Sequence, residues 1–197
     1  MSKDPLYRDR INSYALVTYL GEPLAGFLDG LRRELVPNCF LRAHVTILPP
    51  RALPGSPAVA WDVIRAIAGQ FSPFDIELAD VDVFPVSDVI YIQFARGGEI
   101  LDRMHEAMNI EGLTREEEFR YCPHVTLAQD LKSDEVDELV RVARERWAEC
   151  PFPRSFRVEK ISFVQNTREN QWVDLRECEL GKPGATRVSE LTDLLVG

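Results

Sequence analysis

The sequence predicts an α/β (α+β) fold in which one pattern is used twice, giving two similar lobes. Two observations predict it. The phrases His44-Val45-Thr46-Ile47 and His124-Val125-Thr126-Leu127 stand eighty residues apart (124 − 44), each in an apolar, strand-like run. Around each phrase the order strand, helix, His strand, helix, strand recurs, with roughly the same offset throughout, as an internal duplication requires. We therefore expect a single domain over residues 1–197, built of two pseudo-symmetric repeats at 12–85 and 88–180.

In the first repeat, residues 12–20 read as a strand closed by Gly21, and Pro23 suits the first turn of a helix running to about Val36. Leu24, Phe27, Leu28, Leu31 and Leu35 recur at helical spacing, and Pro37-Asn38 stops it. The first His strand, 40–48, is expected to end at Pro49, Pro50 and Pro54. After a turn at 55–57, Trp61, Ile64 and Ala68 mark a second helix over 58–68. Residues 73–84 and 89–95, joined by a turn at 85–88, read as a hairpin.

The order restarts after Gly97-Gly98 with a helix at 99–109, an acidic loop at Glu116 to Glu118, and the second His strand at 121–128. Ser133 is expected to cap a helix whose apolar face is Val136, Leu139, Val140 and Ala143, with Asp134 and Glu135 complementing its dipole. That helix ends near Glu149, before Pro151 and Pro153. Residues 156–165 and 171–180 read as a closing hairpin across a polar turn, and a short helix is expected after Thr186.

With 45% hydrophobic residues in 197, the chain can bury a good core. Its formal net charge of −9 opposes binding to a long phosphate backbone, so no duplex nucleic acid is expected, whereas a small nucleotide or an RNA end fits. The first ten residues lack an apolar signal core, and no run reaches the roughly eighteen apolar residues of a membrane span. No membrane contact is expected, and the reading is a cytoplasmic monomer. Cys39, Cys122, Cys150 and Cys178 are dispersed without a C-x-x-C pair, which argues for free thiols rather than disulfides or a thiolate zinc site.

The paired phrase carries the chemistry. Side chains alternate along a strand, so His44 and Thr46 share one face, as do His124 and Thr126, while Val45, Ile47, Val125 and Leu127 face a core. With seven Thr in the chain, two of its three His would have Thr two places on by chance only about one time in 260. The third, His105, lies in a helical stretch and reads as structural or solvated. Two lobes facing each other would bring both strands to one cleft. An imidazole titrates near pH 6.5, so one His can accept a proton from water while the other, protonated, expels an alkoxide. The Thr hydroxyls can donate to non-bridging phosphate oxygens, and no cofactor is needed.

These paired H-x-T-φ phrases in a duplicated chain of this length resemble the 2H phosphoesterase superfamily, which includes 2',3'-cyclic phosphodiesterases and 2'-5' RNA ligase-like proteins. The resemblance covers about 14–180. It implies a bilobal fold with an antiparallel sheet in each lobe facing a central cleft and helices outside, His44 and His124 as the catalytic pair, and Thr46 and Thr126 as phosphate ligands. It further implies that His44 donates to the leaving oxygen and His124 activates the water, although the sequence itself is symmetric on this point. The implied activity is metal-independent hydrolysis of a 2',3'-cyclic phosphate of RNA or nucleotide; 2'-5' RNA ligase-like activity and a non-catalytic nucleotide-binding module are the alternatives.

Relatives often follow the second motif with Ala-Arg, where this chain has Ala128-Gln129, so a basic phosphate contact is either absent or supplied elsewhere. Arg42, Arg120, Tyr121 and Trp172 are the further candidates for substrate contact, set against readings as solvated charges, a rim aromatic and a core Trp. A metal site is disfavoured, because two His with Thr make a poor donor set. Cys122, two residues before His124, is a remote candidate nucleophile.

Overall fold

The computed structural model describes residues 9–110 and 112–182. Its elements are β1 (Arg10–Tyr19), α1 (Leu24–Leu35), β2 (His44–Arg51), α2 (Pro57–Ala68), β3 (Phe74–Phe84), β4 (Val89–Arg96), α3 (Gly98–Met108), β5 (Val125–Ala128), α4 (Val136–Ala148), β6 (Ser155–Val158), β7 (Lys160–Thr167) and β8 (Trp172–Glu179). They form two four-stranded antiparallel sheets, ordered β2-β1-β7-β8 and β5-β4-β3-β6. Both histidine strands therefore sit at sheet edges. The third strand in each order comes from the other half of the chain: β3 pairs with β4, and β7 returns to pair with β1.

The helices follow from local chemistry. In α1, Leu24, Leu28, Leu31 and Leu35 are buried, and Arg32 and Arg33 in the last turn complement the dipole. The Ser56 hydroxyl accepts from the Ala58 amide at 3.3 Å, and Pro57 opens α2, whose Ile64 and Val63 are fully buried. Each such side chain contributes roughly 1.5–3 kcal/mol by leaving water. Ahead of α3, Gly97 has φ +86°, and a Cβ there would stand 2.4 Å from the Asp75 carbonyl oxygen, so no other residue fits. Alternation along β1 divides the first sheet: Tyr14 and Leu16 enter the main core with Val45, Ile47 and Phe163, while Ala15, Val17 and Val164 form a second small cluster on the opposite face.

Four expectations change. The strand β2 starts at His44 and runs through Pro49 and Pro50 to Arg51, because an edge strand tolerates residues with no N–H to give its ladder. Its expected first residues lie outside it; Phe40 is apolar yet 84% exposed. The strand β5 is only four residues, since Pro123 interrupts the run that began at Tyr121. Residues 156–165, read as one strand of a hairpin, divide at Glu159 into parts of β6 and β7, which belong to different sheets. Ser133 does not cap α4: its hydroxyl donates to Asp88 Oδ2 at 2.9 Å, and Glu135 takes the cap position. The helix expected after Thr186 lies outside the described residues.

Candidate active site

Strand register sets the site. Opposite β2, Tyr19 faces His44 and Val17 faces Thr46; opposite β5, Tyr91 faces Thr126. Val45, Ile47, Val125 and Leu127 are fully buried, and this anchors both strands with His44, Thr46, His124 and Thr126 half-buried on the other face. The edge strands β2 and β5 lie against each other, which brings the two motifs together.

The two imidazoles are held alike. Nδ1 of His44 lies 2.7 Å from the Arg42 carbonyl, and Nδ1 of His124 lies 2.7 Å from the Cys122 carbonyl. A carbonyl only accepts, so each Nδ1 carries its proton and each neutral Nε2 is left as an acceptor. The Thr126 hydroxyl donates to Nε2 of His124 at 3.1 Å. Burial pushes both imidazoles below their usual range. His44 is pushed down to about 4, mainly by burial, with the charges of Arg32, His124 and Arg42 adding to it. His124 is lowered by burial alone, against the carbonyl of Cys122.

Their surroundings differ. Beside His44, the guanidinium of Arg42 lies 3.7 Å over the Tyr19 ring and pairs with Asp174, which also accepts from the Tyr19 hydroxyl at 2.6 Å. Beside His124 stand two stacked rings, Phe84 and Tyr91, whose centroids are 3.9 Å apart and lie 5.0 and 5.3 Å from the imidazole, both rings steeply inclined to its plane. One histidine thus has cations for neighbours and the other has a pair of aromatic rings.

Each motif is supported from the other half of the chain. The Tyr121 hydroxyl donates to the Thr46 carbonyl at 2.7 Å, and Tyr121 stacks at 4.0 Å on His105, whose Nδ1 reaches the Ile47 carbonyl at 2.8 Å. Behind His105, Glu117 pairs with the buried Arg51, so the acidic loop closes on β2. In the reverse direction, Arg32 of α1 donates to the Thr126 carbonyl at 2.7 Å. These donors satisfy main-chain groups on strand edges that no neighbouring strand can serve.

The candidates from sequence are thus distributed unevenly. Arg42 lies over Tyr19, the residue that faces His44. Trp172 is half-buried against the Ala15, Val17 and Val164 cluster with Tyr19, on the face that carries His44. Arg120 is exposed at the surface. Tyr121 is no rim aromatic, because its ring is covered by His105 and its hydroxyl is used on β2. The Cys122 thiol is pushed up by burial and the charge of Asp102, the wrong direction for a nucleophile. Among the described residues, no three His, Cys, Asp or Glu side chains are grouped to hold a metal ion. Sequence reasoning missed Tyr19, Asp174, Phe84 and Tyr91, which reach the histidines only through strand pairing. It also missed Arg32, whose signal was its place on the buried Leu24-Leu28 stripe of α1.

The family model of the 2'-5' RNA ligase superfamily matches residues 21–170, well over half of the chain and including both motifs. The chain belongs to this superfamily. It is thereby one of the 2H phosphoesterases, an enzyme family of the type that the paired motifs resemble. Among curated superfamily relatives, a candidate phosphoesterase of Halalkalibacterium halodurans is 26% identical over 175 residues, covering 86% of this chain and 98% of its own. Another, from Bacillus cytotoxicus, is 32% identical over 110 residues, covering 54% of this chain and 63% of its own. The fold matches that of E. coli LigT crystallised with 3'-AMP, with a TM-score of 0.59 at 14% identity, over 88% of this chain and 99% of that one. Usb1 of Kluyveromyces marxianus gives a TM-score of 0.52 at 12% identity, over 83% and 97%. No helix among the described residues is long and apolar enough to cross a membrane.

Proposed function

We propose that this chain is a metal-independent phosphodiesterase that hydrolyses a 2',3'-cyclic phosphate at an RNA end or on a nucleotide. The observation that carries the reading is the shared tether of the two histidines, each giving Nδ1–H to the carbonyl two residues back and leaving Nε2 for proton transfer. One neutral Nε2 takes a proton from water as its oxygen attacks phosphorus. The other imidazole, protonated, delivers its proton to the ribose oxygen as the P–O bond breaks. The Thr46 and Thr126 hydroxyls donate to the non-bridging oxygens. The solved LigT complex with 3'-AMP supports a nucleotide-sized ligand.

Electrostatics favour a division of labour opposite to the one implied by resemblance. Burial, with the charges of Arg32 and Arg42 adding to it, keeps His44 neutral, which suits the base, and the imidazole beside Phe84 and Tyr91 takes the shared proton once an anionic phosphate is bound. We further propose that the two halves arose by duplication, with the third strand of each sheet exchanged. Turnover of 2',3'-cyclic nucleotides, 2'-5' linked dinucleotides and cyclic-phosphate-ended oligonucleotides, with chelator present, tests the function. Hydrolysis of the first or third supports it, and inertness toward all three overturns it.

A further inference from the structure

We propose that Arg32 is a positioning residue for the phosphodiester: a buried guanidinium held against the second histidine strand, whose missing counter-charge is the substrate's phosphate. The inference rests on the reading of the cleft as a phosphodiester site, and it answers the want of an arginine after the second motif.

Arg32 is only 3% exposed. Its partners are neutral: Nη1 donates to the Thr126 carbonyl at 2.7 Å, Nη2 reaches Cys39 Sγ at 3.6 Å, and the buried Nε has no hydrogen-bond partner. The carboxylate of its own helix, Asp29, is used elsewhere, accepting from the Ala43 amide at 2.6 Å. A buried cation without an anion is costly, and a fold retains one where an anion arrives later. What surrounds Arg32 shows where that anion would stand. It touches the main chain of Thr126 and lies close enough to His44 for its charge to be felt there. The other arginine near His44, Arg42, already has Asp174. Arg32 is thus the cation in the site left without a carboxylate among the described residues.

Two consequences follow from one charge. Its field favours a phosphate in the cleft by an interaction that low local dielectric strengthens, and its fork fixes the edge of β5 on which Thr126 and its hydroxyl are carried. The same charge opposes protonation of His44 and so keeps that imidazole available as a base.

The test uses the full chain, with inorganic phosphate as the probe and the three imidazoles followed by NMR. Arg32→Met, a hydrophobic replacement of similar length, is expected to fold, to bind phosphate roughly tenfold or more weakly, and to move the His44 titration upward. Arg32→Lys keeps the charge and should bind phosphate within about threefold of the parent. Should Arg32→Met fail to fold, Arg32→Gln takes its place, and the Lys variant carries the comparison regardless. The proposal is overturned if the neutral variant binds phosphate like the parent with an unmoved His44, if Lys loses binding as fully as Met, or if phosphate perturbs neither His44 nor His124 in the parent. None of these readings needs turnover. Arg32-dependent phosphate binding in a protein inert toward every diester would leave this inference standing and remove the hydrolytic one.

Discussion

The hydroxyl of Tyr121 and the carbonyl of Thr46, 75 residues apart, form a 2.7 Å hydrogen bond that ties the approach to the second motif to the strand of the first. Tyr121→Phe leaves that carbonyl without its donor, at a cost of roughly 1–3 kcal/mol in unfolding free energy. Denaturant melts should show that loss, while the pH dependence of turnover keeps its shape, because no titrating group at the site is altered.

Replacing His44 or His124 by Ala should lower turnover of a cyclic phosphodiester by about two to four orders of magnitude. Chelator should leave the parent rate unchanged. A rate that vanishes with chelator and returns with a divalent ion would contradict the two-histidine mechanism.

Thr46→Ala and Thr126→Ala each remove one hydrogen bond to a charged oxygen, worth ~1.5–3 kcal/mol, or about ten- to 150-fold in kcat/KM. Both should stay more active than the histidine variants. Steady-state kinetics on folded proteins decides it.

Both histidines have folded-state pKa values below the unfolded one, His44 at about 4. Between roughly pH 6.5 and pH 4 the unfolded chain therefore binds more protons than the folded one, so stability is full above this window and falls as pH drops through it. The fall should be shallower in His44→Gln. For the same reason, phosphate binding near neutral pH should be accompanied by proton uptake, which calorimetry in buffers of different ionisation enthalpy detects.

If His124 protonates the leaving oxygen, a nitrophenyl diester, whose leaving group needs little acid, should partly restore His124→Ala and not His44→Ala. Restoration of His44→Ala instead would assign the acid to the cation-flanked histidine.

The motifs were legible because a period of two and a fixed offset are local properties of the chain. His44, Thr46, His124 and Thr126 could thus be placed on faces before any pairing was known. The aromatic walls were not, since Tyr91 reaches Thr126 and Tyr19 reaches His44 only through register between strands distant in sequence. The division at Glu159 was missed although the buried phase slips there, from Phe156 and Val158 to Ile161 and Phe163, because the change of pairing partner is not a local property. Arg32 was overlooked for a different reason: an arginine on an apolar stripe reads as a solvated end of the stem unless the opposing edge strand is known to need a donor.

The exchange of third strands has a consequence for how this protein melts. Strand β3 is internal to the sheet that holds β4 and β5, and β7 is internal to the sheet that holds β1 and β2. Unfolding either half of the chain strips an inner strand from the sheet that holds the other half's motif, so the two halves cannot lose their order in sequence. Heat should produce one sharp transition rather than two steps, and a cut in the turn at 85–88 should yield halves that regain structure only when mixed.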